Sequence, residues 1–156
     1  MTDNTFTQMD KVYIFNKSQN PDPEYQTSKA SGFDIASNED VVIQPGETEL
    51  IGTGLHFVLA PYYEAQIRLR SSCALKGLLM PNAPGTIDED YRGEIKIILH
   101  NLTSLPVKIK AGDRVAQVVC AKSFRPKIHI MDSNEYNSPL NNTLRGEGGF
   151  GSTGKN

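Results

Sequence analysis

Residues 82–93 read Asn-Ala-Pro-Gly-Thr-Ile-Asp-Glu-Asp-Tyr-Arg-Gly, and Glu-Ile-Lys-Ile-Ile-Leu follows at 94–99. Pro84 and Gly85 supply turn chemistry. After Gly93 the chain alternates between polar and apolar residues, the period of a strand with one buried face. The stretch therefore predicts the tip of a β-hairpin. It carries Asp88, Glu89 and Asp90 with the amide of Asn82 and the ring of Tyr91. An acidic turn alone is commonly a solvated loop, so its meaning depends on the rest of the chain.

Working outward, short strand signals recur at 12–15, around Phe33 and Ile35, and at 41–43, 49–51, 55–59 and 63–70. They resume from Leu78, at 93–101, 107–109 and 114–122, with a last one at 128–131. Gln44-Pro45-Gly46-Glu47 has the order of a type II turn. In 63–70, Ala65, Ile67 and Leu69 share one face, and Gln66, Arg68 and Arg70 the other. Residues 71–77 predict one helical turn, with serine at its start and Gly77 past its end. Residues 133–144 predict an extended polar segment. Many short strands with close turns predict an all-β sandwich or barrel.

The 156 residues suggest one domain, large enough for a proper core. A net charge of −2 gives no global basic field, so direct nucleic-acid binding is not expected and any anion must meet local positive charge. No apolar run suits a secretory signal or a membrane span. Cys73 and Cys120 lack ligand spacing and suit reduced thiols, so a cytoplasmic location is expected, with the nucleus or a virus-infected cytosol as variants. His56, His100 and His129 are scattered, which supports neither a zinc site nor a Ser-His-Asp triad.

Four further stretches carry chemistry. The tail from Arg145 is Arg-Gly-Glu-Gly-Gly-Phe-Gly-Ser-Thr-Gly-Lys-Asn. Its glycines let the backbone wrap an anion, its hydroxyls and cations suit phosphate, and Phe150 suits stacking on a base. A flexible Gly/Ser tail is the plainer alternative. Residues 149–155 match the glycine and lysine spacing of a P-loop, but Asn156 stands where Ser or Thr is needed. Arg70-Ser71-Ser72 is either an anion site at a helix start or a simple cap. Gln117 interrupts an apolar run and needs a partner, either a side chain or a ligand phosphate. Asp34 lies between apolar residues.

In order along the chain these are S-G-F-D-I-A, R-S-S-C-A-L-K-G, N-A-P-G-T-I-D-E-D-Y-R-G, A-G-D-R-V-A-Q and R-G-E-G-G-F-G-S-T-G. The series resembles the homotrimeric dUTP diphosphatases (dUTPases) over residues 32–155, most specifically in the third and fifth stretches. Leu69 stands where proline is common, Ser31 where alanine is usual, and Cys73 is an unusual choice. None of these removes a group that the family uses.

The resemblance implies a single-domain, jelly-roll-like β-barrel or sandwich with one short helical turn, assembled as a homotrimer. Residues 1–144 would form the β domain and 145–156 a mobile tail closing over the active site. It implies hydrolysis of dUTP to dUMP and pyrophosphate, which limits uracil incorporation into DNA and supplies dUMP for dTMP synthesis. Asn82 and main-chain groups of Gly85, Thr86 and Ile87, with others near Lys96, would read the uracil edge. Tyr91 would pack under the deoxyribose and exclude a 2′-hydroxyl, and Asp88 would be the general base. Arg70, Ser71, Ser72 and Gln117 would hold the triphosphate, and Asp34 would hold Mg2+ through bound water. Arg145 and the tail would close the site. Phe150 would stack on uracil, and Gly151, Ser152, Thr153 and Lys155 would also contact substrate. Each site would draw Asp34, Arg70 and Gln117 from one chain, the hairpin from a second and the tail from a third.

Two other readings stand beside this one. The dCTP deaminases share the implied fold and the Arg-Ser-Ser stretch, but their catalytic glutamate aligns with Ile98, which carries no proton. A non-catalytic nucleotide-sensing or regulatory trimer would need neither Asp88 nor the tail.

Overall fold

The computed structural model describes residues 11–149. In chain order the strands are β1 (Val12–Asn16), β2 (Phe33–Ala36), β3 (Val41–Ile43), β4 (Thr48–Leu59) and β5 (Tyr63–Leu69). Helix α1 (Ser71–Leu75) follows, then β6 (Leu78–Leu79), β7 (Gly85–Ile87), β8 (Glu94–Asn101), β9 (Val107–Ile109) and β10 (Arg114–Lys122). The chain divides into two compact units, one ending at Phe124 and one beginning at Arg125.

All ten strands among the described residues belong to the first unit and pair antiparallel. One sheet has the order β1-β4-β8-β6, a second has β2-β10-β5-β7, and β3 pairs with β9 in a ribbon. The two larger sheets contribute to one core. Ile51, Phe57, Ile95, Ile97 and Leu99 come from the first and Phe33, Ile35, Ile67 and Val118 from the second. The rings of Phe33 and Phe57 meet edge to face at 6.1 Å between the sheets. The alternation in β8 is the one expected, with Ile95, Ile97 and Leu99 buried and Lys96 exposed. The result is the expected jelly-roll-like all-β fold.

The expected hairpin, however, is not formed as a paired ladder. β7 pairs with β5, whereas β8 pairs with β4 and β6. The arms of the 82–93 stretch therefore lie in different sheets. The chain does reverse twice here. The Ala83 amide donates to the Met80 carbonyl at 3.1 Å, and the Tyr91 amide donates to the Asp88 carbonyl at 3.1 Å. The first turn precedes Pro84, and Gly85 is already strand. Local turn residues specify a reversal, but burial of β8 between β4 and β6 decides its partners.

Other expectations need correction. The strands read at 49–51 and 55–59 are one strand, β4, whose register shifts between Gly52 and His56. Gly54 allows this with φ +69°, and a Cβ there would meet the Ser18 backbone at 2.9 Å. α1 begins one residue earlier than a serine cap would place it. Arg70 is the cap residue, without a side-chain capping bond, so no serine caps the helix.

No strand forms at 128–131. Ile128 and Ile130 are 82% and 83% exposed, and no described residue of the second unit is in a strand that could pair with them. The 133–144 segment is not extended throughout. It contains helix α2 (Ser133–Tyr136) and a 3-10 turn at Pro139–Asn141. Asp132 and Glu135 close a capping box around α2. So short a helix leaves no periodicity in the sequence.

Asn101 ends β8 fully buried. Its amide nitrogen donates to the carbonyls of Ile43 at 2.9 Å and Leu105 at 2.8 Å, and its oxygen accepts from the Thr103 amide at 2.9 Å. Asn101→Ala should lower stability by about 1–3 kcal/mol, because the buried Ile43 carbonyl loses this donor. Urea unfolding at fixed protein concentration checks this, and an unchanged midpoint would show that the network adds nothing.

Candidate active site

The expected site residues fall into two groups in the first unit. The first is built on the second sheet, where β2, β10 and β5 align Asp34, Gln117 and Arg68 across one row. Asp34 faces two cations. Arg70 Nε lies 3.0 Å from its Oδ1, and Arg114 Nη1 lies 3.2 Å from its Oδ2. Ser71 and Ser72 stand exposed beside them at the start of α1. Gln117 is half-buried rather than sealed in the core. A chain of net charge −2 thus concentrates positive charge where the sequence suggested an anion would bind.

The second group surrounds the gap between β7 and β8. Asn82, Gly85, Thr86 and Ile87 face Lys96 and Ile98 across a slot of about 50 Å³. β7 is the edge strand of its sheet. β6 covers β8 only at Asn101 and His100, beyond Lys96 and Ile98. Two strand edges with ladder positions left open therefore meet across the slot. An adjoining recess of about 290 Å³ is bordered by Asp88, Tyr91, Glu94 and Leu50. Asp88 is exposed, and no described residue bonds its carboxylate. The Tyr91 hydroxyl donates to the Glu94 carbonyl at 3.0 Å, which fixes the ring at the mouth. Glu94 also pairs with Lys96 at 3.7 Å.

Arg145 belongs to the second unit, where its Nε donates to the Gly148 carbonyl at 2.9 Å. Phe150, Gly151, Ser152, Thr153 and Lys155 lie outside the described residues. The two groups of the first unit line separate recesses. Arg114 and Leu50 carried no assignment from sequence. The adjacent apolar pair Val115-Ala116 was the available sign that β10 breaks its alternation just after Arg114. Nothing marked Leu50, because its place at the mouth depends on strand pairing.

Comparison with known proteins gives the family. The family model for dUTPase matches residues 18–154. The deoxyuridine 5'-triphosphate nucleotidohydrolase of Nautilia profundicola is 51% identical over 134 residues, covering 85% of this chain and 90% of that relative. The chain belongs to the dUTPase family. The corresponding Cytophaga hutchinsonii protein is 46% identical over 147 residues, covering 92% of each. Among solved structures, a Staphylococcus bacteriophage 80alpha dUTPase with dUpNHpp superposes with a TM-score of 0.82 at 24% identity, covering 94% of this chain and 99% of that one. A phage phi11 dUTPase, described with a structural Mg(II) ion, gives 0.72 at 22%, covering 79% and 97%. At these identities the two phage structures speak to the fold.

The dUTPase reading includes a magnesium ion, so the donor set matters. No cluster of three or more His, Cys, Asp or Glu side chains suited to a metal occurs among the described residues. Asp34 offers a single carboxylate, each oxygen of which meets one guanidinium and keeps lone-pair capacity for a water. One carboxylate, waters and substrate phosphates suit Mg2+. The residues fit an ion held through water in a substrate complex.

Cys73 lies buried in α1 against the Arg114 carbonyl, with Sγ to O at 3.8 Å. Burial pushes its thiol pKa up, against the Ser72 hydrogen bond and the nearby Lys76 and Arg70 charges, which pull it down. Its burial beside the Arg114 carbonyl suits packing and not nucleophilic attack. Iodoacetamide at pH 8 should label Cys73 at least about tenfold more slowly in the folded protein than in urea. Equal rates would show that the thiol is open and reactive.

Proposed function

We propose that this protein hydrolyses dUTP to dUMP and pyrophosphate. The carrying observation is the slot between β7 and β8, with Asp88 and Tyr91 at its mouth. The open edges of two strands present N–H and C=O groups in fixed alternation, which suits the donor and acceptor edge of uracil. The narrow gap admits a pyrimidine and rejects a purine. Asn82 adds an amide to the same edge. Tyr91 lies where the sugar leaves the slot and crowds C2′.

The reaction is attack of water at the α-phosphorus with loss of pyrophosphate. Asp88 accepts the proton of the attacking water, and its exposed, unbonded carboxylate suits that task. Arg70, Ser71, Ser72 and Gln117 bind the triphosphate and hold it in line. Bound Mg2+, held through water by Asp34, would neutralise phosphate charge. Arg145 and the glycine-rich tail close over the bound nucleotide and exclude other water.

Separate recesses for the base and phosphate groups support a site completed between chains of a homotrimer. Phe124, Ile128 and Ile130, each more than four-fifths exposed, are apolar surface that a neighbouring copy would cover. A cytoplasmic location is part of the same proposal, and two free cysteines suit a reducing compartment. Deamination of dCTP is disfavoured by Ile98, an aliphatic side chain beside the slot. A purely sensing role is disfavoured by Asp88, which a binder does not need.

Incubation with dUTP, dCTP, dTTP and UTP, with products resolved by chromatography, tests the reading. The account requires dUMP and pyrophosphate from dUTP. A deaminated product from dCTP, or binding without turnover, would favour the rivals.

Asp88→Asn should lower kcat by about 10²–10⁴-fold while dUTP still binds. Near-normal turnover would place the base elsewhere. Gly93→Ala tests sugar selection by displacing the Tyr91 ring with the tyrosine itself retained. A Cβ at Gly93 would run into the Tyr91 ring and hydroxyl. Both Gly93→Ala and Tyr91→Ala should reduce the dUTP-over-UTP preference, by about tenfold or more. An unchanged preference in both variants would remove Tyr91 from sugar selection.

A further inference from the structure

β10 carries an irregularity next to Asp34 and Arg70, in the group of residues proposed to bind the triphosphate. Arg114 pairs with Ala36, but Ala116 pairs with Ile35, so Val115 is an extra residue on the β10 side. Val115 and Ala116 are consecutive and both buried. Regular alternation would put Arg114 on the buried face that Ala116 occupies. The bulge instead turns Arg114 onto the face of Asp34 and Gln117, a known use of bulges beside functional sites.

Arg114 then acts on the site at two atoms. Its Nη1 holds Asp34 Oδ2 at 3.2 Å. Its carbonyl accepts from Arg70 Nη1 at 3.1 Å. Arg70 Nε meanwhile holds the other oxygen of Asp34 at 3.0 Å. The guanidinium of Arg70 is thereby fixed along two sides, by a carboxylate and by a carbonyl from the neighbouring strand. Its remaining N–H groups are left for an anion, and little rotamer freedom remains to be lost on binding. With Arg70 alone, the Asp34 carboxylate would be free to turn.

We propose that Arg114 is a positioning residue for the triphosphate, acting through Asp34 to hold Arg70 in its phosphate-binding pose. This rests on the dUTP reading given above. It differs from direct phosphate binding by Arg114 in one respect: the effect of Arg114 must pass through Arg70.

The test is a double-mutant cycle on the full chain, with R114Q, R70Q and R114Q/R70Q. Two ligands are titrated, deoxyuridine and the non-hydrolysable dUpNHpp. R114Q should raise the Kd for dUpNHpp about tenfold and leave that for deoxyuridine unchanged. In the R70Q background the R114Q change should cost nothing further. Additive losses would overturn the proposal in favour of direct contact between Arg114 and phosphate. Equal weakening of both ligands would overturn it in favour of a structural role, and so would no change in dUpNHpp affinity. If R114Q does not fold, R114K takes its place. A smaller rise in Kd for dUpNHpp that vanishes with R70Q supports the proposal, and no rise or an additive one overturns it. A wild-type protein that binds neither ligand would refute the dUTP reading itself and this inference with it. A wild type that binds both, matched by R114Q, would refute only the role of Arg114.

Discussion

The structure depends on where β8 buries its side chains. Ile95, Ile97 and Leu99 all enter the core, which fixes β8 between β4 and β6. β7, only three residues long, stays with β5 in the other sheet. The chain between them cannot zip into a hairpin, because its two ends belong to opposite layers. The slot is what remains between them. Unpaired backbone groups within a fold are costly unless solvent or a ligand satisfies them, so an open pair of strand edges is a ready reader of a flat polar ring. In the proposed site, base recognition would follow from core packing and need few side chains.

A second consequence is electrostatic. The chain is slightly acidic overall, yet Arg70 and Arg114 converge on Asp34. The carboxylate keeps two guanidinium groups close together in the absence of an anion. In the proposed complex a triphosphate would meet cations already in place, the cost of organising them having been met in folding. The bulge at Val115 makes this possible, and it does so with an arginine that alternation alone would place on the other face.

Much of this was legible in the sequence. The bounds of β10 follow the apolar run, and the alternating run read as a strand at 93–101 is β8. The grouping of Asp34 with Arg70 and Gln117, and of Asn82 with Gly85, Asp88 and Tyr91, came from the resemblance to the dUTPases; in the structure Asp34 pairs with Arg70 and lies opposite Gln117, while the second set borders two adjoining recesses. What failed was pairing. Pro84 and Gly85 announce a reversal, but which strands become neighbours depends on residues far away in sequence. The same blindness joined Arg114 to no role, since its direction depends on register against β2. Residues 128–131 have a strand's composition without a strand's partner. Composition describes what a segment is fit for, and a partner edge decides whether it pairs.

The central claim is that the gap between β7 and β8 receives the base. A crystal structure of the protein with dUpNHpp and Mg2+ measures this most directly. The account predicts uracil in the slot, within hydrogen-bond distance of main-chain groups of residues 85–87 and of the chain near Lys96, with Asp88 beside the α-phosphate. A base bound outside that gap, with the slot closed or empty, would contradict it.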